Sequence, residues 1–99
     1  MSFEIVPSKY FLDQIRNLDE KSKRIIREKI ELIRDNHYRN KKIHSKRFSR
    51  IFRVRLNINN KDKRLIYVIL TPKIILACLI ERDKNYKDLE KYLSKVFKN

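Results

Sequence analysis

Ninety-nine residues carry 26 lysines and arginines against 12 aspartates and glutamates, a net charge of +14 with a pI near 10.2, so a polyanion, nucleic acid first, is the partner this balance fits. The length suits one domain spanning residues 1–99, and 41% apolar residues, with fourteen isoleucines, are enough for a core in spite of 38% charge. The absence of glycine excludes glycine-rich phosphate loops and dinucleotide-binding turns, which need a residue that tolerates positive φ and close backbone approach.

Phe3, Ile5 and Val6 form a short apolar run closed by Pro7, which cannot donate to a ladder and suits a strand end or edge. Ser8 is then placed to cap a short helix with Phe11, Leu12, Ile15 and Leu18 as its apolar stripe. After a brief break at Asn17–Asp19, Asp19 is a second capping candidate. Ile25, Ile26, Ile30, Leu32 and Ile33 keep helical spacing to about Asn36, which predicts a second helix antiparallel to the first. From Asn36 to Arg55 there is no acid and there are eight basic residues: Arg39, Lys41, Lys42, Lys46, Arg47, Arg50, Arg53 and Arg55. Most of the net charge is concentrated there.

Within this tract the period changes from helical to two. Phe48, Phe52, Val54, Leu56 and Ile58 share one face of a strand, while Ser49, Arg53, Arg55 and Asn57 point to the other. Arg50 and Ile51 break the alternation, as a bulge or an edge would. Asn59 to Asp62 reads as a turn, Arg64 to Leu70 as a strand and Thr71–Pro72 as another tight connection. Ile74 to Ile80 suits a central strand buried on both faces, which makes Cys78, the one cysteine, a buried thiol with no disulfide partner in the chain. This longest apolar run falls far short of the ~20 residues of a membrane span, and the first residues lack a secretory pattern, so a soluble, cytosolic protein is expected. Tyr86, Leu89, Leu93 and Val96 predict a terminal amphipathic helix. The fold class is α+β: an N-terminal strand and two helices packed on an antiparallel meander sheet, with a C-terminal helix.

Arg53 and Arg55, two apart on one strand, project from the same side roughly 6.5–7 Å apart, about the spacing of adjacent phosphates on a nucleic-acid strand. Arg64 opens the next strand, Arg82 follows the last one, and Tyr86 lies four residues further on. All five can converge at one end of the meander, although a solvated outer sheet face gives the same pattern.

The stretches Phe52-Arg53-Val54-Arg55-Leu56, Lys63-Arg64-Leu65-Ile66-Tyr67 and Glu81-Arg82-Asp83-Lys84-Asn85-Tyr86 resemble the RelE/ParE toxin superfamily, in its ribosome-dependent, mRNA-cleaving branch. The resemblance covers nearly the whole chain in element order and rests on short motifs whose order and spacing carry it. It implies a metal-independent endoribonuclease without cofactor that enters the ribosomal decoding site and uses the RNA 2′-hydroxyl as nucleophile. It also implies mRNA, ribosomal RNA and an acidic antitoxin protein as partners. By the same resemblance Arg53 and Arg55 contact the scissile phosphate region and Arg64 stabilises the developing phosphorane. Arg82 then faces the leaving 5′ oxygen, and Tyr86 stacks on or activates the nucleotide. A ParE-like inhibitor of a topoisomerase, or a non-catalytic RNA- or ribosome-binding module, shares the scaffold and stays open at this point.

The family often has lysines where this chain has Arg53 and Arg55. A guanidinium keeps its proton at a pKa above ~12 and is restricted mainly to electrostatics, so Tyr86 among arginines is the expected base. His44, the side chain best suited to proton transfer near neutrality, sits in the basic run and reads more simply as a solvated loop residue. His37 ends the second helix, where the dipole favours a cation. Lys41, Lys42, His44, Lys46, Arg47 and Arg50 are the expected contacts to RNA phosphates, blind to sequence and weakened by salt. Tyr10, Tyr38, Tyr67 and Tyr92 read as packing at the core rim. No metal-ligand spacing is present, and none is expected among so many positive charges.

Overall fold

A computed structural model of the chain describes residues 3–38, 40–43, 50–81, 89, 93 and 94. The first strand, β1 (Glu4–Pro7), stops at its proline. Ser8, at φ −72° and ψ 158°, caps α1 (Lys9–Ile15), its Oγ accepting the Phe11 N–H at 3.0 Å. Asp19 stands at the N-cap of α2 (Glu20–Asp35), and its strongest bond is not to the backbone of the helix. It accepts the Ser22 hydroxyl instead, and that bond holds the Asp19 carboxyl below its ordinary range.

Four further strands follow: β2 (Lys41–Ile43), β3 (Ile51–Ile58), β4 (Lys61–Leu70) and β5 (Lys73–Glu81). They join β1 in one sheet of order β1-β5-β4-β3-β2. The meander of β3, β4 and β5 is as expected, yet the sheet is mixed. β1 runs parallel to β5, in the register Glu4↔Lys73 to Pro7↔Leu76, because the intervening helices carry the chain over one face. β2 is an edge strand that sequence reading did not anticipate: three residues, Lys-Lys-Ile, are too few to show a period.

The turn between β3 and β4 is also tighter than composition implies. Asn59 and Asn60 alone, at φ 52° and 64°, connect Ile58 to Lys61, and Lys61 and Asp62 already belong to the ladder. Asparagine tolerates the left-handed region, so it supplies the two positive φ values of a two-residue hairpin in a glycine-free chain. The break at Arg50 is a left-handed residue too, at φ 55°, immediately before β3.

Two apolar layers sandwich the sheet. On one side α1 packs over β5 and α2 over β3, with Phe11, Ile26 and Ile33 against Phe52, Leu56, Leu65 and Leu76. Leu12 and Leu32 fall off these stripes and are 45% and 55% exposed. On the other side Ile43, Ile51, Ile66, Val68 and Cys78 are covered by Leu89 and Leu93, which are four apart and helical in conformation. Tyr86 and Val96 of that expected stripe lie outside the described residues. β5 is buried on both faces, as its composition requires. An irregularity places Ala77 between the pairs Tyr67↔Leu76 and Ile66↔Cys78, so that Leu76 and Leu79 both serve the helix side.

Beyond Pro7, α1 takes over the work of β1 along β5. The Ser8 hydroxyl donates to the Ala77 carbonyl at 2.9 Å. The Gln14 amide makes two bonds with Leu79, donating to its carbonyl at 3.0 Å and accepting its N–H at 2.8 Å. A side chain here satisfies backbone groups that would otherwise be orphaned. Tyr67, expected at the core rim, is instead fully buried. Its hydroxyl donates to the His37 carbonyl at 2.8 Å and accepts from Asn40 Nδ2 at 3.0 Å, while its ring stacks on Phe52. Burial pushes its phenol pKa up.

Gln14→Leu is expected to lower unfolding stability by about 2 kcal/mol, and Gln14→Glu to lose at least as much at neutral pH because it sets a carboxylate oxygen against the Leu79 carbonyl, as read from denaturant titration. Burial also pushes the Cys78 thiol from its ordinary 9.0 up to about 12. The native thiol is therefore expected to resist alkylation below that pH. The unfolded chain ionises first, so the stability due to this group is complete below pH ~9 and is lost as pH climbs toward 12; Cys78→Ala flattens that stretch of the stability–pH curve.

Candidate nucleic-acid interface

The alternation of β3 decides which side chains meet. Phe52, Val54, Leu56 and Ile58 face the helices, so Arg53 and Arg55 leave the sheet on the other side, together with Ile51 and Asn57. On β4 the same side receives Asp62, Arg64, Ile66 and Val68, and on β2 it receives Lys41 and Ile43. Register then pairs Lys41 with Arg53 and Arg55 with Arg64. These four side chains line one open cavity of ≈ 330 Å³, enough for a phosphate group and the sugar that carries it.

Arg64 is the critical member. At 8% exposure it is the one buried charged residue among those described, and its Nη1 is buried with no hydrogen-bond partner. A guanidinium carries five N–H donors in a rigid fork, and leaving a charged donor unmet in a buried place costs more than the ~1–3 kcal/mol of a neutral group. With Arg55 directly across the ladder, a neighbour of like sign gives no relief. An anion in the cavity relieves both at once, since each cation 4 Å from a phosphate oxygen gains about 4 kcal/mol at an effective dielectric of 20. Arg53 is half-buried, while Arg55 and Lys41 are exposed at the rim.

The structure thus brings together Lys41, Arg53, Arg55 and Arg64 from the residues singled out in the sequence. It separates two others. Lys42 lies opposite Phe52 and faces the helix side of the sheet. Arg50 precedes β3, ~17 Å from Arg55 along the strand, and its Nη1 donates to Thr71 Oγ1 at 3.4 Å. Arg82, Tyr86, His44, Lys46 and Arg47 lie outside the described residues. Sequence reasoning placed Lys41 among general phosphate contacts, and only the pairing of β2 with β3 reveals that it shares the arginine cavity. Among the described residues no group of three His, Cys, Asp or Glu side chains could hold a metal ion.

No protein-family model and no curated protein sequence matches the chain. Among solved structures it resembles a double arginine-to-alanine mutant of the E. coli toxin RelE in the free state, with a TM-score of 0.67 and 12% identity over 97% of this chain and 95% of that one. It is similar also to the isolated E. coli RelE toxin, with a TM-score of 0.65 and 9% identity over 96% and 99% of the two chains. The intact E. coli RelBE toxin–antitoxin complex matches with a TM-score of 0.65 and 10% identity over 84% of this chain and 100% of that chain. The chain therefore has the RelE fold, as its motif order implied.

A buried guanidinium nitrogen without a partner is a stability cost. Arg64→Met is expected to raise unfolding stability by about 1–3 kcal/mol at low salt, and inorganic phosphate is expected to stabilise the parent but not the variant in thermal melts.

Proposed function

We propose that this protein is the toxin of a toxin–antitoxin pair and that it cuts mRNA on the ribosome as a metal-independent endoribonuclease. The observation that carries the reading is the cavity of Lys41, Arg53, Arg55 and Arg64, with Arg64 Nη1 buried and unpartnered, on a RelE fold. Attack of a 2′-hydroxyl on the adjacent phosphate builds negative charge on the equatorial oxygens. Cations already fixed around that position lower the barrier without reorganising. Arg64 takes the phosphorane oxygens because the sheet holds its guanidinium rigidly, and Arg53 and Arg55 bind the flanking phosphates. Arg82 and Tyr86 complete the site by the family resemblance, at the leaving oxygen and on the nucleobase.

The nucleophile comes from the RNA itself, so the chemistry needs no metal. Sequence-blind phosphate contacts fit a substrate presented by the ribosome rather than selected by base readout. The +14 charge also fits an acidic antitoxin that neutralises the same face.

The test is a coupled translation reaction followed by primer extension on the message. The parent protein is expected to produce cuts within codons. Arg64→Ala is expected to lose 10²–10³ in cleavage rate, the effect of removing one preorganised donor. Translation arrest with an intact message, or loss of topoisomerase supercoiling in the same extract, would replace the nuclease by a binding mode of inhibition.

A further inference from the structure

Cleavage through the 2′-hydroxyl needs a group that takes its proton, and this inference rests on the ribonuclease reading above. Three of the four described side chains lining the cavity are guanidiniums, which do not give up their protons in proteins. Among the described residues Lys41 is the one lining side chain that can exchange a proton.

The fold holds Lys41 in place from both sides. Asn40, the residue before it, donates through Nδ2 to the buried Tyr67 hydroxyl at 3.0 Å. Ile43, two residues after it and on the same side of the sheet, is buried in the second apolar layer. A slip of β2 by one residue would expose Ile43, so the burial that anchors the strand also aims Lys41 at the arginines. Its register partner is Arg53. Among the described residues the charged groups nearest to it on its side of the sheet are Arg53 and Arg55 from β3 and Arg64 from β4, with Asp62 further along β4 and Lys73 and Glu4 away on β5 and β1.

We infer that Lys41 is the general base of the cleavage, a proton-transfer role carried by the edge strand β2 in place of the strand that bears Arg53 and Arg55. The proton of the 2′-hydroxyl passes to the unprotonated Nζ as the O2′–P bond forms. The P–O5′ bond breaks, and the leaving 5′ oxygen takes a proton from water. The hydroxide so formed removes the proton from the Lys41 ammonium, which returns the amine. The products are a 2′,3′-cyclic phosphate and a 5′-hydroxyl end. Tyr86, the base expected from sequence, lies outside the described residues, whereas Lys41 lines the cavity itself.

Lys41→Arg separates charge from proton transfer, because it keeps the cation and removes the exchangeable amine. Cleavage on the ribosome is expected to fall about 100-fold with ribosome binding unchanged, and the rate–pH profile is expected to lose one ionisation. Lys41→Cys is expected to be equally slow, and alkylation with 2-bromoethylamine to restore both the rate and the ionisation. Cys78, the natural thiol, is buried and stays protonated, so the reagent acts at position 41. A Lys41→Arg protein with the parent rate and pH profile overturns the inference and leaves the ribonuclease reading standing. A parent protein that cuts no message removes that reading, and the base with it.

Discussion

Like charges placed opposite one another across a β-ladder repel, and in this sheet Arg55 stands opposite Arg64 while Lys41 stands opposite Arg53. The rest of the molecule can be understood as what is needed to hold that arrangement. Four cations cannot stabilise the two strand pairs they sit on, so the free energy comes from the other surface of the sheet and from the apolar half of the same surface. On the helix side Phe52, Leu56, Leu65 and Tyr67 are closed by α1 and α2. On the cationic side the apolar strip of Ile43, Ile51, Ile66 and Val68 lies beside the arginines, under Leu89 and Leu93. Each of β2, β3 and β4 therefore carries an apolar anchor and a cation on one face. The anchors fix the direction of the cations.

This division explains why the chain tolerates so high a charge. Strands β4 and β5 are buried along most of their length on both faces, and their burial does not depend on what occupies the cavity. The cavity is thus lined by residues whose contribution to folding is small or negative, on a framework held by the apolar layers beside them. Arg64 shows this most directly: a buried guanidinium nitrogen without a partner weakens the empty protein and strengthens any complex in which a phosphate reaches it. The fold shared with RelE and the high positive charge of this sequence come together at that one side chain.

Much of the architecture is legible in local pattern. The cap at Ser8, the two helices, the β3 alternation and the doubly buried β5 follow from periods of 3.6 and two and from a few punctuating residues. What local pattern does not carry depends on contacts distant in sequence. The parallel pairing of β1 with β5 joins residues about seventy positions apart, and the Gln14 amide meets Leu79 across 65. β2 becomes a strand only because β3 offers it an edge. The site follows the same rule. A spacing of two is enough to put Arg53 and Arg55 on one face, and the antiparallel register adds Arg64. Lys41 joins the cavity through β2, and with it comes a chemical capacity that the arginines lack.

The perimeter of the sheet has a consequence of its own. One outer strand, β1, is four residues long and ends in Pro7, and past it the hydrogen-bonding groups of Leu79 are already taken by Gln14. The opposite outer strand, β2, is three residues long and two of them are lysines. Among the described residues neither border offers a long, flat, apolar edge to a further strand, and short or charged borders are how natural sheets discourage stacking copy upon copy. In a chain so rich in isoleucine, the two shortest and most interrupted strands are thus the ones left at the outside of the sheet, and the long apolar ones lie within it.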